Sequence, residues 1–535
     1  MGPTAMTGWG KIWYNYQNIR YVRSHDRKDS LMKSLISVGV LIAVSASLFA
    51  GDLKVGFSRV DITPPLGNFM PGYYQDRFAK EVLDPLQINM EAFSDGKTTA
   101  LVAQFDTEAL SDAVADQMRD AIVAATKVNR DAVILHASHT HDGGFLAVKT
   151  DHGSNVRGDG LSGKFGKLTD LYVDMAVTRT ADAAVNAIRD LKPAKLSYGR
   201  SEAKRISFGR RYVMKDGKVA TNPGTNNPDI VRPAGTADEQ VQVLRIDREG
   251  GKPICVINFQ THPDVVGGET ITADWPGLAR TVFEAATFGE TYCVVINGTQ
   301  GDVNHCNVLP RPGELNGLKR DFDAVDRGYD HAKHMANVLC AAALNVWMKC
   351  VPLEAGEVKF ATRTVKTPVH KAKDSDAKNL AWANDVWELH EKSVKDGTVA
   401  TDKDLVTQKY GWKDMELTTE VARAGRIRNM AKKTSDFHEI PLYAIAIGKS
   451  VAFGGFPGEP FNDIGKALKA KSPFALSIFS CLSNGSRGYF PYFDPAKESV
   501  DYENSGYEFA TSPFGESVAN DLIAGELELL GELHK

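Results

Sequence analysis

The sequence predicts an α/β fold, with mixed β-sheets flanked by helices in one domain from about residue 52 to Lys535. Three observations lead there. Apolar runs of strand length alternate with longer stretches whose apolar residues recur at helical spacing. Most of those runs end in turns that carry glycine or proline. No repeat of solenoid period and no long low-complexity linker divides the chain.

Taken in order, a first strand begins near Val55 and closes at Asp61-Ile62-Thr63-Pro64-Pro65-Leu66-Gly67, a turn stiffened by its prolines. Thr99 to Phe105 reads as a strand after the Asp95-Gly96 turn and delivers Asp106 at its end. Ser111 can cap a helix whose Val114, Met118, Ala121, Ile122 and Ala125 make one stripe. Ala132 to Leu135 reads as a short buried strand, and a second helix follows near Asp170–Leu191. Strands near Gln240–Ile246, Ile254–Gln260 and Thr291–Ile296 come next, with Pro276 suited to the first turn of a helix. Residues 373–437 are polar, helical in pattern and rich in Lys, Asp and Glu, and read as an inserted helical segment. The chain returns to strands at Leu442–Ile447, Val451–Phe453 and Ala475–Cys481.

Composition narrows the function only by exclusion. The chain is 43% hydrophobic and 24% charged with net charge −4, which argues against nucleic acid as a partner and gives no steering toward anionic lipid. Met32-Lys33, an apolar run from Leu35 to Phe49 and small residues near Ala46, Ser47 and Ala50 have the layout of a secretory signal. We therefore expect Met32 to be the start, residues 1–31 an upstream extension, and the mature chain secreted or periplasmic with no membrane span. An uncleaved anchor is the alternative. Six cysteines show no framework spacing, and Cys255, Cys293 and Cys340 lie in apolar runs that suit buried thiols.

The residues able to do chemistry collect at strand ends. Ser138-His139-Thr140-His141-Asp142-Gly143-Gly144 follows the strand that ends near Leu135. On an extended backbone, imidazoles at i and i+2 point the same way, which suits a metal or a ligand beside an acid/base. His262, Asp302 and Glu459 also fall just past apolar runs, and open α/β sheets gather ligands at such ends. Two histidines, one carboxylate and a vacant position make a common catalytic zinc shell. Singly, each has a structural alternative: His262 satisfied by backbone, Glu459 capping the helix of Phe461–Leu468.

The motifs VGFSRVDITPP (55–65), DPL (84–86), SHTHDGG (138–144), THPDVVGG with ADWPG (261–277), NGTQGDVN (297–304), FPGE (456–459), LSNGSRGYFPY (482–492) and GYE (506–508) resemble the catalytic domain of the neutral/alkaline non-lysosomal ceramidases, in that family's order. The resemblance implies a zinc-dependent amidase cleaving the bond between a fatty acid and a sphingoid base. It makes His139, His262, Glu459 and Tyr489 the zinc ligands and His141 an acid/base outside the ligand set. Arg210 resembles the family's arginine near the site, and Tyr507 the tyrosine that helps hold the substrate carbonyl. A cation and a phenol there could stabilise a tetrahedral oxyanion.

Two departures bear on the reaction. The family carries a nucleophilic serine after Gly-Asp-Val, whereas this loop reads Gly301-Asp302-Val303-Asn304. Asn304 can orient substrate or water but cannot form an acyl intermediate. The GYE motif lies close to Lys535, so we expect no C-terminal immunoglobulin-like domain. The expected substrate is an acylated amide or lipid-like small molecule, cleaved by metal-activated water. A zinc hydrolase of another ester or acyl substrate, and a non-catalytic envelope binding protein, stay open.

Overall fold

A computed structural model describes residues 53–73, 77–147, 167–314, 319–320, 326–370, 377–495 and 500–535. The extension and signal segment read over residues 1–50 lie outside them. Strand β1 (Lys54–Asp61) pairs antiparallel with β2 (Gln87–Ser94), and β2 with β3 (Thr99–Phe105). Between β2 and β3, Asp95 Oδ1 accepts the amide N–H groups of Lys97 and Thr98 and fixes the turn. Helix α1 (Asp112–Thr126) starts where its sequence signal stands, the Ser111 hydroxyl accepting the Val114 N–H. It returns the chain to β4 (Val133–Ala137), parallel to β3. Helix α2 (Lys167–Arg189) packs on β1 so closely that a Cβ at Gly56 would fall 1.9 Å from the Ala187 carbonyl oxygen. Glycine is required there.

Then come β5 (Lys192–Glu202), β6 (Gln240–Arg248), β7 (Ile254–Phe259), α3 (Asp274–Ala286), β8 (Tyr292–Asn297) and α4 (Tyr329–Trp347). The nine-stranded sheet has the order β8-β7-β6-β5-β1-β2-β3-β4, with Val351–Leu353 added on β5. Pairs β7/β8 and β3/β4 are parallel and the others antiparallel. The sheet curls until its two edge strands meet: the Asn297 N–H donates to His136 Nε2 at 3.1 Å. That closure decides where the site can be. It brings the loops after β4, β7 and β8 to one place although their strands are far apart in the sheet.

A second sheet follows: β9 (Val358–Pro368), then helices α5 (Ala377–Asp396), α6 (Leu405–Tyr410) and α7 (Asp414–Ala431), then β10 (Phe437–Ile447), β11 (Val451–Gly455), α8 (Asn462–Lys471) and β12 (Leu476–Ser480). Its order is β9-β10-β11-β12. Alternate residues face two cores, as a period of 2 requires. Tyr443, Ile445 and Phe453 pack with the first sheet, Phe453 against Phe93 at 5.4 Å between ring centroids. Leu442, Ala444 and Ala452 pack with Leu522 and Leu529 of α10 (Val518–His534), which follows the short α9 (Tyr507–Thr511). Burying each large apolar side chain here contributes about 1.5–3 kcal/mol.

Helices α5–α7 fall inside the polar segment 373–437 and carry their own small core of Ala383, Val386, Leu417, Val421, Ala424 and Ile427. They leave from β9 and return into β10, whose ladder with β9 runs unbroken from Val358↔Ile447 to Pro368↔Phe437. The strand read as Leu442–Ile447 therefore begins earlier, at Phe437. Its first half alternates exposed and buried residues in a polar setting that hides it in sequence. Among the described residues, no helix is long and apolar enough to cross a membrane. All six cysteines are free.

Candidate metal centre

The Asn297 side chain ties two turns together, donating to the carbonyls of Ser138 at 2.9 Å and Thr261 at 3.1 Å. His139 and His262 each stand one residue beyond. The extended backbone expected through His139 and His141 is not what brings their rings together. Strand β4 stops at Ala137, and His139 has φ of 74°, the left-handed region that costs a non-glycine residue roughly 1–3 kcal/mol. The His139 N–H donates to the Thr107 carbonyl at 2.9 Å and holds that conformation. His141 approaches from the turn, its ring centroid 4.7 Å from that of His139. The ring nitrogens of His139, His141 and His262 lie within 4.8 Å of one another.

Glu459 reaches the same point from a separate element. Residues Glu459–Pro460 pair in parallel with Tyr489–Phe490, so Glu459 and Tyr489 are register partners. Glu459 Oε2 lies 3.3 Å from His139 Nε2 and 3.2 Å from His262 Nε2. Helix α8 is capped by another residue: Asp302 Oδ1 accepts the Asn462 N–H at 2.7 Å. Asp302, expected among the converging groups, thus fills the structural role that was the alternative for Glu459.

Three features test whether these residues suit a metal. His139 Nδ1 is bonded to the Glu108 carbonyl at 2.9 Å, and His262 Nδ1 to the Gln300 carbonyl at 2.9 Å. Both carbonyls fix the tautomer that turns an Nε2 lone pair inward, the usual second-layer support of a ligating imidazole. His262 Nε2 is buried and makes no hydrogen bond although Glu459 Oε2 lies 3.2 Å away. The donors are imidazole and carboxylate, the set zinc takes. The residues fit.

Charge follows position. Burial opposes a proton on His139, but the Glu459 carboxylate and then Glu108 outweigh it and hold its pKa up to about 9. Burial, and then charge near His139, push His141 well down; burial and the Arg210 charge push His262 down. Burial would raise Glu459, yet His139 and His262 hold it well below the usual carboxylate range. Glu459 and His262 thus stand in the forms that ligate cations, whereas His139 would give up its proton on binding one.

Around the cluster, the Tyr489 ring stacks on His262 at 6.4 Å between centroids, and Tyr507 meets Tyr489 edge-on at 5.9 Å. Arg210 lies with Cζ 5.5 Å from the Tyr489 centroid. Its Nε donates to Glu508 Oε1 at 2.6 Å and its Nη2 to the Gly301 carbonyl at 2.8 Å. Arg211 turns away, donating to the Ser505 carbonyl. His141 Nδ1 is buried with no partner, and a Cβ at Gly72 would press on it at 2.7 Å. Asn304 is spoken for: its Oδ1 accepts the Cys306 N–H at 3.0 Å and its Nδ2 donates to Asn222 Oδ1 at 3.2 Å.

Sequence reasoning missed Glu508, which also accepts from the Thr221 hydroxyl at 2.9 Å and fixes Arg210. Its signal was a carboxylate next to Tyr507, but its partner stands 298 residues away. It also missed Arg77, which donates to Asp142 Oδ1 at 3.0 Å and to the His141 carbonyl, steadying that turn.

No family model matches the chain, and no curated protein does. Solved structures do. The neutral ceramidase of Pseudomonas aeruginosa aligns over 90% of this chain and 74% of its own, with TM-score 0.62 and 17% identity. A ceramidase complexed with C2 aligns over 90% and 75%, with TM-score 0.61 and 17% identity. This chain shares the neutral ceramidase fold.

Proposed function

We propose that the protein is a zinc-dependent hydrolase of ceramidase type that cleaves an N-acyl amide. The observation that carries this reading is the inward-facing set of His139, His262 and Glu459, on a fold shared with ceramidases. Those three residues and Tyr489 would hold the ion. When bound, zinc polarises the acyl carbonyl and lowers the pKa of water to about 7.

The chain's own groups complete the reaction. His141 lacks the carbonyl that pins Nδ1 in His139 and His262, so its ring is the one suited to move a proton. Kept neutral by its surroundings, it takes a proton from water and gives it to the departing amine nitrogen. Arg210 and Tyr507 donate to the oxyanion, with Arg210 held in place by Glu508. Asn304 offers no nucleophile and its amide already serves Cys306 and Asn222, which favours attack by water. The substrate is then an acylated, lipid-like amine, and a net charge of −4 argues against nucleic acid as a partner.

The test is a zinc-loaded preparation assayed on a panel of N-acyl amines, ceramides and esters, with rapid quench and intact mass spectrometry. Turnover of an N-acyl amine without an acyl adduct supports the reading. A trapped adduct sinks the water mechanism, and turnover of esters alone sinks the amidase. From the signal-like Met32–Ala50 segment we further infer that the mature protein lies outside the cytoplasm, so N-terminal sequencing of recovered protein should begin within a few residues of Gly51.

A further inference from the structure

We propose that Cys306, His305 and Asp264 form a thiol site beside the metal centre that reacts with hydroperoxides. His305 Nδ1 lies 3.0 Å from Asp264 Oδ1, and His305 Nε2 lies 3.9 Å from Cys306 Sγ, within reach for a sulfur hydrogen bond. A nucleophile, a base and a third group orienting that base is the general arrangement for activating a thiol. The carboxylate fixes Nδ1 as the protonated nitrogen and leaves Nε2 to accept from sulfur.

The other thiols lack such a base. Burial raises the pKa of Cys255 well above its ordinary value, pushes Cys340 up to about 11, and raises Cys350 and Cys481. Cys306 is 1% exposed, but the chain surfaces at once: Asn307 is half-buried and Leu309 is 45% exposed. Residues 305–310 belong to no strand or helix, but Val308 is buried and its carbonyl accepts the Asn226 N–H, so a peroxide reaches Cys306 when this loop opens.

The chemistry balances. The thiol proton passes to His305 Nε2, and a sulfur lone pair attacks one peroxide oxygen as the O–O bond breaks. The leaving oxygen carries off the electron pair and takes the proton from Nε2. Sulfur is oxidised by two electrons to a sulfenic acid, and the peroxide is reduced to water or an alcohol. Nothing in this step draws on amide hydrolysis, so its failure leaves the proposed function standing.

The experiment uses the full folded chain, reduced, and follows each cysteine by peptide mapping after brief exposure to iodoacetamide, or to hydrogen peroxide with dimedone. Exposure alone predicts Cys350, the half-buried thiol, as first to react. The site predicts Cys306, at least about 10-fold faster than Cys255, Cys293, Cys340 and Cys481 and ahead of Cys350, with a dimedone adduct at Cys306. His305→Gln, checked for native near-UV circular dichroism, should slow Cys306 by about 10-fold. Labelling of Cys350 before Cys306, or a rate at Cys306 no higher than at the core thiols, overturns the proposal; so does an unchanged rate in folded His305→Gln.

Discussion

Glu459 and Glu526 are both out of water, 6% and 0% exposed, and their surroundings drive them in opposite directions. Glu459 sits among imidazoles that keep it ionised. Glu526, on α10 against Gly454 of β11, has two oxygens without a partner, and burial pushes its pKa up to about 8. A buried carboxylate therefore signals function only where other groups converge on it. Glu508 is buried too, paired to one guanidinium. Asp404, in the inserted helices, only caps α6 through the amides of Val406 and Thr407.

Removing the charge at each position breaks or sharpens this contrast. The largest effect is expected at Glu459→Gln, which should abolish stoichiometric zinc binding and turnover together, read by metal analysis and assay. Glu508→Ala leaves the Arg210 charge buried and unpaired, so we expect a loss of about 3–5 kcal/mol in urea unfolding. An intact midpoint there would show that Arg210 does not depend on Glu508.

At Glu526 the sign reverses. Its folded pKa exceeds the unfolded value, so its contribution is fully present below about pH 4.5 and is lost as pH rises through about 8. Glu526→Gln should flatten the fall of stability over that window and make the protein about 1–3 kcal/mol more stable at pH 8. Unfolding midpoints at several pH values decide it, and a variant less stable than the parent at pH 8 would contradict the assignment. The smallest effect belongs to Asp404→Ala, a lost cap worth about 1 kcal/mol in thermal unfolding, with zinc content unchanged.

The same contrast explains what could be read from sequence. His139, His262 and Glu459 were legible because each follows an apolar run into a glycine or proline turn, a local signal. The way they meet was not legible. It needs the curl that joins Asn297 to His136 and the positive φ of His139, neither of which apolar periodicity encodes. Asp302 carries the same local signal as Glu459 and ends up capping α8, since only tertiary structure chooses between the two roles. Glu508 and Glu526 look alike in sequence, because partners 298 residues away or missing altogether leave no local trace.

The central claim is that His139, His262, Glu459 and Tyr489 hold one zinc ion while His141 moves protons. Metal analysis of purified wild type, His262→Ala and His141→Ala, each with turnover measured on the same preparation, tests it most directly. We predict one zinc per wild-type chain and none in His262→Ala. His141→Ala should keep its zinc and lose turnover by about 10²–10⁴-fold. Full zinc in His262→Ala, or zinc lost from His141→Ala, would contradict it.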